Sequence, residues 1–299
     1  MVVIGLLVDD EYQIYKNRSI ELVLARHPSF TLSEAVPVAK AEFEASARAL
    51  WLETLALAKA MRPKGRWGWY NFAHCSNCRM QPQQGLKRAQ RQKNDVRHPL
   101  GLCPVGPLAQ DYNHQMMWLY TETTALFPSI YLPCPPPSHH PSSVPEWCSA
   151  KAPAGNWNST LRNIAYVDCQ MDAAQQVASA VAVATGGANR PDIYAFAWMD
   201  YYPPNDNLPT GLFVDAADVA TQTSRPSLWG AAGSIVWGAS EDTYNNSQCN
   251  GPASLGAFIN ATAGPIIRTA VDDAATCSRK RCNGQGRCVS LPKEGCSKI

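Results

Sequence analysis

The chain has 299 residues, of which 45% are apolar and 17% charged, and its formal net charge is +2. That composition supports a sizeable core and excludes global disorder, and the near-neutral charge excludes a strongly basic nucleic-acid binder. No run reaches the roughly 18 apolar residues that a membrane span needs.

Val2–Val8 reads as a short buried strand running into Asp9-Asp10-Glu11. Thr31-Leu-Ser-Glu34 has the capping-box pattern that satisfies free N–H groups at a helix start. Ala39, Phe43, Ala47, Leu50, Thr54, Leu57 and Met61 then form one apolar stripe at helical spacing, stopped by Pro63 and Gly65. Arg66–Phe72 is aromatic-rich and predicts a strand. Residues 79–102 read as a polar loop, Ala109–Leu126 as a helix ended by Pro128, and Ser129–Leu132 as a short strand. The proline-rich stretch 133–160 predicts an irregular insertion. A helix over Asp168–Thr185, a strand over Ile193–Met199, a helix over Phe213–Ser224, a strand over Gly233–Trp237 and a helix over Ala253–Val271 follow.

Strands alternate with helices, which predicts an α/β fold with a parallel sheet and helices outside it. A closed (β/α) barrel has eight such units. This chain has fewer, so on a barrel reading the shortage lies before residue 1, with residues upstream of Met1 absent. The doubly wound open sheet is the structural rival, but no G-x-G-x-x-G follows a strand. The barrel domain is expected over 1–275. A small cysteine-rich tail, too short to bury a core without disulfides, is expected over 276–299.

Eleven cysteines and four sequons, at Asn17, Asn158, Asn245 and Asn260, point to an oxidising, secretory route. Val2–Val8 lacks the basic lead and length of a signal peptide.

A (β/α) barrel builds its active site at the C-terminal ends of its strands. Asp9 and Glu11, Tyr70, Tyr131, Asp200 and Trp237 stand at those positions. Carboxylates can move protons at a glycosidic oxygen, and aromatic faces stack on sugar rings. Each also has a plainer reading. Aromatics in strands are usually packing residues, Asp200 suits a turn cap, and Asp9-Asp10-Glu11 suits an exposed acidic turn.

Arg62–Phe72, Leu126–Pro133, Gly233–Glu241 and Cys277–Cys288, in that order and spacing, resemble the animal hyaluronidases of venom, sperm and lysosome. The similarity runs over roughly residues 9–133 and 165–290. The resemblance implies a distorted (β/α) TIM-like barrel with an EGF-like tail, and a secreted or lysosomal glycoprotein. It implies endo-hydrolysis of the β-1,4 bond between N-acetylglucosamine and glucuronate in hyaluronan, and secondarily chondroitin. It implies no cofactor and no metal. The implied mechanism is substrate-assisted retention, an exception to the two-carboxylate scheme. Carried over by motif, Glu11 is the acid and Asp9 its partner. Tyr70, Tyr131, Asp200 and Trp237 line the substrate pocket. Cys75–Cys103 and Cys277–Cys288 match family disulfides, and Cys249 matches a cysteine whose usual partner lies upstream.

The Asp-x-Glu segment departs from the family pattern. Asp10 replaces an aromatic residue, Trp-Arg-Pro is absent, and a stretch before Tyr15 is expected to be deleted. Two alignments compete. In one, Asp9 and Glu11 are the catalytic pair; in the other, the pair is lost and Asp9-Asp10-Glu11 belongs to the following loop. The alternatives to an enzyme are an inactive glycan-binding relative and a truncated isoform. The basic residues Lys87, Arg88, Arg91, Lys93 and Arg97 could steer a polyanion or merely solvate a loop. Cys75-x-x-Cys78 has no second well-spaced pair to make a zinc site.

Overall fold

The computed structural model describes residues 8–73, 113–136, 159–201, 213–238, 254–289 and 295–298. Helix α1 (Val8–Arg26) opens them. Residues 2–7 of the expected Val2–Val8 strand lie outside the described residues; Val8 is helical rather than extended, and so is the Asp9-Asp10-Glu11 segment that follows it. Three consecutive acidic residues suit a helix's first turn, where the macrodipole favours negative charge. That preference outweighs the strand pattern at this point.

Helix α2 (Leu32–Met61) starts as expected: Thr31 accepts from the Glu34 amide, and the Glu34 carboxylate accepts from the Thr31 amide at 2.7 Å. Its buried residues are Ala35, Ala39, Trp51 and Leu55. The expected single stripe therefore fails in the second half, where Leu50, Leu57 and Met61 are 57–63% exposed. At 100° per residue, the 35/39 pair and the 51/55 pair lie roughly 160° apart around the axis. The helix serves two partners. Ala35 and Ala39 meet Ile20 and Val23 of α1, while Trp51 and Leu55 enter the main core with Trp69 and Phe72.

Residues 67–70 run beside β1 (Ala125–Leu126), through Ala125 N–H to Trp67 O (3.0 Å) and a parallel bridge between Tyr70 and Phe127; Asn71 then turns in the left-handed conformation (φ 64°), and Phe72 O accepts from Phe127 N–H (2.9 Å), so the expected Arg66–Phe72 strand is reduced to this short pairing. Helix α3 (Met117–Tyr120) precedes β1. The helix expected to reach Leu126 thus ends six residues earlier, and 125–126 is a strand instead; Glu122-Thr-Thr-Ala-Leu-Phe carries β-branched residues and turns the chain into the sheet. Helix α4 (Ser159–Ala184) leads to β2 (Asp192–Trp198), and α5 (Ala216–Leu228) leads to β3 (Gly233–Trp237). The three strands form one parallel sheet in the order β1-β2-β3, with Leu126 opposite Ile193, Tyr194 opposite Gly233 and Trp198 opposite Trp237.

The period-2 alternation divides the sheet into two chemically different faces. Leu126, Ile130, Leu132, Ile193, Ala195, Ala197 and Met199 belong to the core packed under the helices. Phe127, Tyr131, Tyr194, Phe196 and Trp198 form a separate aromatic cluster on the other face. Buried charge ties the helical layer together. Asp168 of α4 accepts from Arg225 of α5 at 2.5 Å and from the Trp229 indole N–H at 2.8 Å.

Helix α6 (Leu255–Phe258) passes through one π-helical turn (Ile259–Ala263) into α7 (Gly264–Cys282). Any Cβ on Gly264 would sit 2.7 Å from the Ile259 carbonyl oxygen, so glycine permits the join. Helix α7 runs unbroken across the position where barrel and tail were expected to part. It ends at Asn283, which takes the left-handed conformation (φ 52°) common at helix ends. Strands β4 (Gly286–Val289) and β5 (Gly295–Lys298) then form an antiparallel pair. A Cys277–Cys288 disulfide fastens the pair to α7, and Arg287 bonds Asp192 at the start of β2 at 2.8 Å.

Candidate active site

The exposed end of the aromatic face is built by three adjacent segments. Residues 127, 129 and 131 share one side of an extended run, so Tyr131 follows Phe127 onto the aromatic face. Residues 194, 196 and 198 do the same along β2, and register places Trp237 of β3 beside Trp198. Tyr131 stacks on Trp237 with ring centroids 5.9 Å apart and an interplanar angle of 21°. Trp198 meets both edge-on, at 5.5 Å from Tyr131 and 5.2 Å from Trp237. Tyr70 lies 6.0 Å from Tyr131 and donates to the Ser129 hydroxyl at 3.1 Å. Exposure rises across the cluster: Tyr131 is 7% exposed and Trp237 42%. The result is a packed aromatic wall whose exposed ring surface is that of Trp237, and an exposed aromatic ring can stack on a ring-shaped ligand.

Asp200 follows β2 by two residues, is buried, and bridges antiparallel to Phe213. The structure thus brings Tyr70, Tyr131 and Trp237 together and puts Asp200 at the end of the same sheet. Trp198 belongs to this wall and was not singled out from the sequence. The signal was present, since it shares the parity of Tyr194 and Phe196 in a strand that was recognised. Asp9 and Glu11 stand in the first turn of α1, whose packing partner is α2. Val8, the expected last residue of the strand, and the Asp9–Glu11 segment after it have helical backbone, so strand alternation does not set the relation between the two carboxylates. Cys75, Cys103, Cys249 and the basic loop 79–102 lie outside the described residues. The expected Cys277–Cys288 disulfide is formed, with Cα atoms 6.0 Å apart.

Behind the wall, on the helical side of the sheet, lies a buried polar hub. The Asp218 carboxylate accepts from Asn163 Nδ2 at 2.8 Å and from the Tyr201 hydroxyl at 2.7 Å, both through Oδ2. Asn163 also grips the Cys134 backbone twice, donating to its carbonyl at 2.9 Å and accepting from its amide at 3.2 Å. The Tyr201 oxygen accepts from the Asp215 amide at 3.2 Å. Burial pushes the Asp218 carboxyl up to about 6, against the opposing hydrogen bond from Tyr201. Burial likewise raises the Tyr201 phenol above its ordinary range. Among the described residues no group of three or more His, Cys, Asp or Glu could hold a metal ion.

A family profile described as hyaluronidase matches residues 9–143 and 157–296. The chain belongs to the hyaluronidase family. Hyaluronidase-1 of Homo sapiens is 32% identical over 284 residues, covering 94% of this chain and 53% of that protein. Hyaluronidase-1 of Mus musculus is 31% identical over 286 residues, covering 95% of this chain and 50% of that protein. The chain therefore spans about half the length of these hyaluronidase relatives. Bee venom hyaluronidase, solved in complex with a hyaluronic acid tetramer, superposes with a TM-score of 0.59 at 22% identity. That superposition covers 87% of this chain and 64% of the bee chain, and shows a shared fold.

Proposed function

We propose that the wall of Tyr70, Tyr131, Trp198 and Trp237 binds hyaluronan and that the chain is a glycoside hydrolase cleaving its β-1,4 bonds after N-acetylglucosamine. One observation carries this reading: three aromatic rings from three adjacent segments meet at the sheet's C-terminal end, beside Asp200, in a hyaluronidase-family chain. In this proposal the sheet is an arc of a distorted (β/α) barrel, and Trp237 backs the N-acetyl methyl. Asp200 lines the pocket as a carboxylate. Glu11 gives its proton to the glycosidic oxygen, so the leaving sugar departs as an alcohol. The substrate's own acetamido oxygen attacks the anomeric carbon. Water then opens that intermediate, returning a proton to the Glu11 carboxylate and retaining the configuration. Asp9 partners Glu11, and chondroitin is the secondary substrate.

The Cys277–Cys288 disulfide supports a secreted or lysosomal setting. Among the described residues no helix is long and apolar enough to cross a membrane.

A second reading, binding without hydrolysis, is favoured by the helical backbone at Asp9–Glu11. Hyaluronan depolymerisation, followed by product size at acid and neutral pH, separates the two. Cleavage that disappears in Glu11→Gln supports the hydrolase. Saturable binding with no cleavage by either protein supports the second reading. Cleavage undiminished by Glu11→Gln removes Glu11 from the mechanism.

A further inference from the structure

We propose that Asp218 is a positioning residue for the sugar site: through Asn163 and Tyr201, its carboxylate holds the segments bearing Tyr131 and Asp200 in register with each other. This deepens the reading above and rests on it for the word "sugar". The hub itself stands on geometry. One carboxylate oxygen receives two donors that come from different elements, Asn163 of α4 and Tyr201 just beyond β2. Asn163 passes the hold to the backbone of Cys134, three residues after Tyr131 in a continuous buried run. Tyr201 is the immediate neighbour of Asp200, on the opposite parity and therefore the opposite face of the chain. Asp200 can thus turn to the wall while Tyr201 anchors behind it.

The α5 helix start does not need the Asp218 carboxylate. Asp215 already caps it, accepting from the Asp218 amide at 2.9 Å. Packing alone does not need it either, because a buried carboxylate with only amide and phenol donors costs more than an apolar side chain of similar volume. Asp218 is fully buried, and its Oδ1 has no hydrogen-bond partner among the described residues. What the carboxylate supplies is one acceptor point shared by two segments that carry wall and pocket residues.

The test uses the intact chain as wild type, Asp218→Asn and Asp218→Ala, in two measurements. Amide hydrogen exchange by mass spectrometry, without sugar, reads the hub. Calorimetric titration with a hyaluronan octasaccharide reads its consequence for the site. Asp218→Ala is expected to speed exchange about tenfold in 129–134 and 199–201 while the remaining core keeps its protection. It is expected to weaken octasaccharide binding by about tenfold. Asp218→Asn keeps an oxygen at the accepting position and restores both to within about threefold. If Asp218→Ala does not melt cooperatively, Asn163→Ala replaces it, with faster exchange expected at 129–134 and unchanged exchange at 199–201.

Unchanged exchange at both segments overturns the proposal. So does a uniform rise across the chain, which is global destabilisation alone, and so does local loosening with undiminished affinity. A wild type that shows no saturable octasaccharide binding defeats the hyaluronan reading instead, and the exchange pattern then decides by itself whether Asp218 positions the two segments.

Discussion

Replacing Asp218 by asparagine should remove one limb of the pH dependence of stability. The carboxyl rises from its ordinary 3.8 to about 6 because burial disfavours its charged form. The nearby Asp215 charge adds to the rise, while hydrogen bonds from Tyr201 and Asn163 oppose it. A folded-state pKa above the unfolded one means that the folded protein holds a proton the unfolded chain has released. Stability from this group is therefore fully present below about pH 4, falls as pH rises through about 6, and is constant above it. The shift is about two units, and at about 1.4 kcal/mol each the limb amounts to about 3 kcal/mol. Asparagine cannot titrate, so its limb is flat. It carries a separate, pH-independent cost of about 1–3 kcal/mol, because its amide hydrogens replace an Oδ1 with no partner. Only the slope is diagnostic. Urea unfolding followed by tryptophan fluorescence, at steps from about pH 4 to pH 8, measures it for both proteins. The difference in unfolding free energy should shift towards asparagine by about 3 kcal/mol across that range. A constant difference across the range would refute it.

Three further perturbations test the sheet and the helices around it. Gly68→Ala would place a Cβ 2.0 Å from the Ala125 carbonyl oxygen, which is backbone and cannot swing aside. Thermal melts should show a loss of roughly 3 kcal/mol, and an unchanged melt would contradict the pairing of 67–70 with β1. Asp168→Ala leaves Arg225 and the Trp229 indole without their shared acceptor; denaturant unfolding should register a cost of about 3–5 kcal/mol, as for a buried pair stripped of one partner. Thr31→Ala removes half of the capping box, and chemical denaturation should show a cost of about 1 kcal/mol.

Elements governed by a single local rule were legible in the sequence. Strand β3 was recovered at both ends, because Gly233-Ser-Ile-Val-Trp237 is a short β-prone run with a glycine boundary. The start of α2 followed from two side chains, Thr31 and Glu34. Elements whose burial depends on distant partners were less legible. Helix α4 begins nine residues before the predicted Asp168, because Arg162, Asn163, Asp168 and Gln170 are all buried and break the apolar period. Those same residues include the Asn163 hub and the Asp168 ion pair, so the failure of the pattern marks where tertiary polar contacts take over. The α2 stripe failed because the two halves of that helix face different clusters, which no single periodicity describes.

Site residues divide in the same way. Tyr70, Tyr131 and Trp237 were singled out because strand ends in a parallel sheet converge, and the structure brings their rings into one cluster with Trp198. Asp9 and Glu11 were placed by a motif after an apolar run; the last residue of that run, Val8, is helical, and residues 2–7 lie outside the described residues. Asp218 and Asn163 carry no motif. Their significance comes from hydrogen bonds spanning 55 residues between them and 29 residues from Asn163 to Cys134.

The most direct test of the central claim is calorimetric titration of a hyaluronan octasaccharide into the wild type, Trp198→Ala and Trp237→Ala. If the aromatic wall holds the sugar, the wild type binds saturably and either substitution weakens binding about tenfold in chains that still melt cooperatively. Wild-type affinity retained in both variants, or no saturable binding by the wild type, would contradict it.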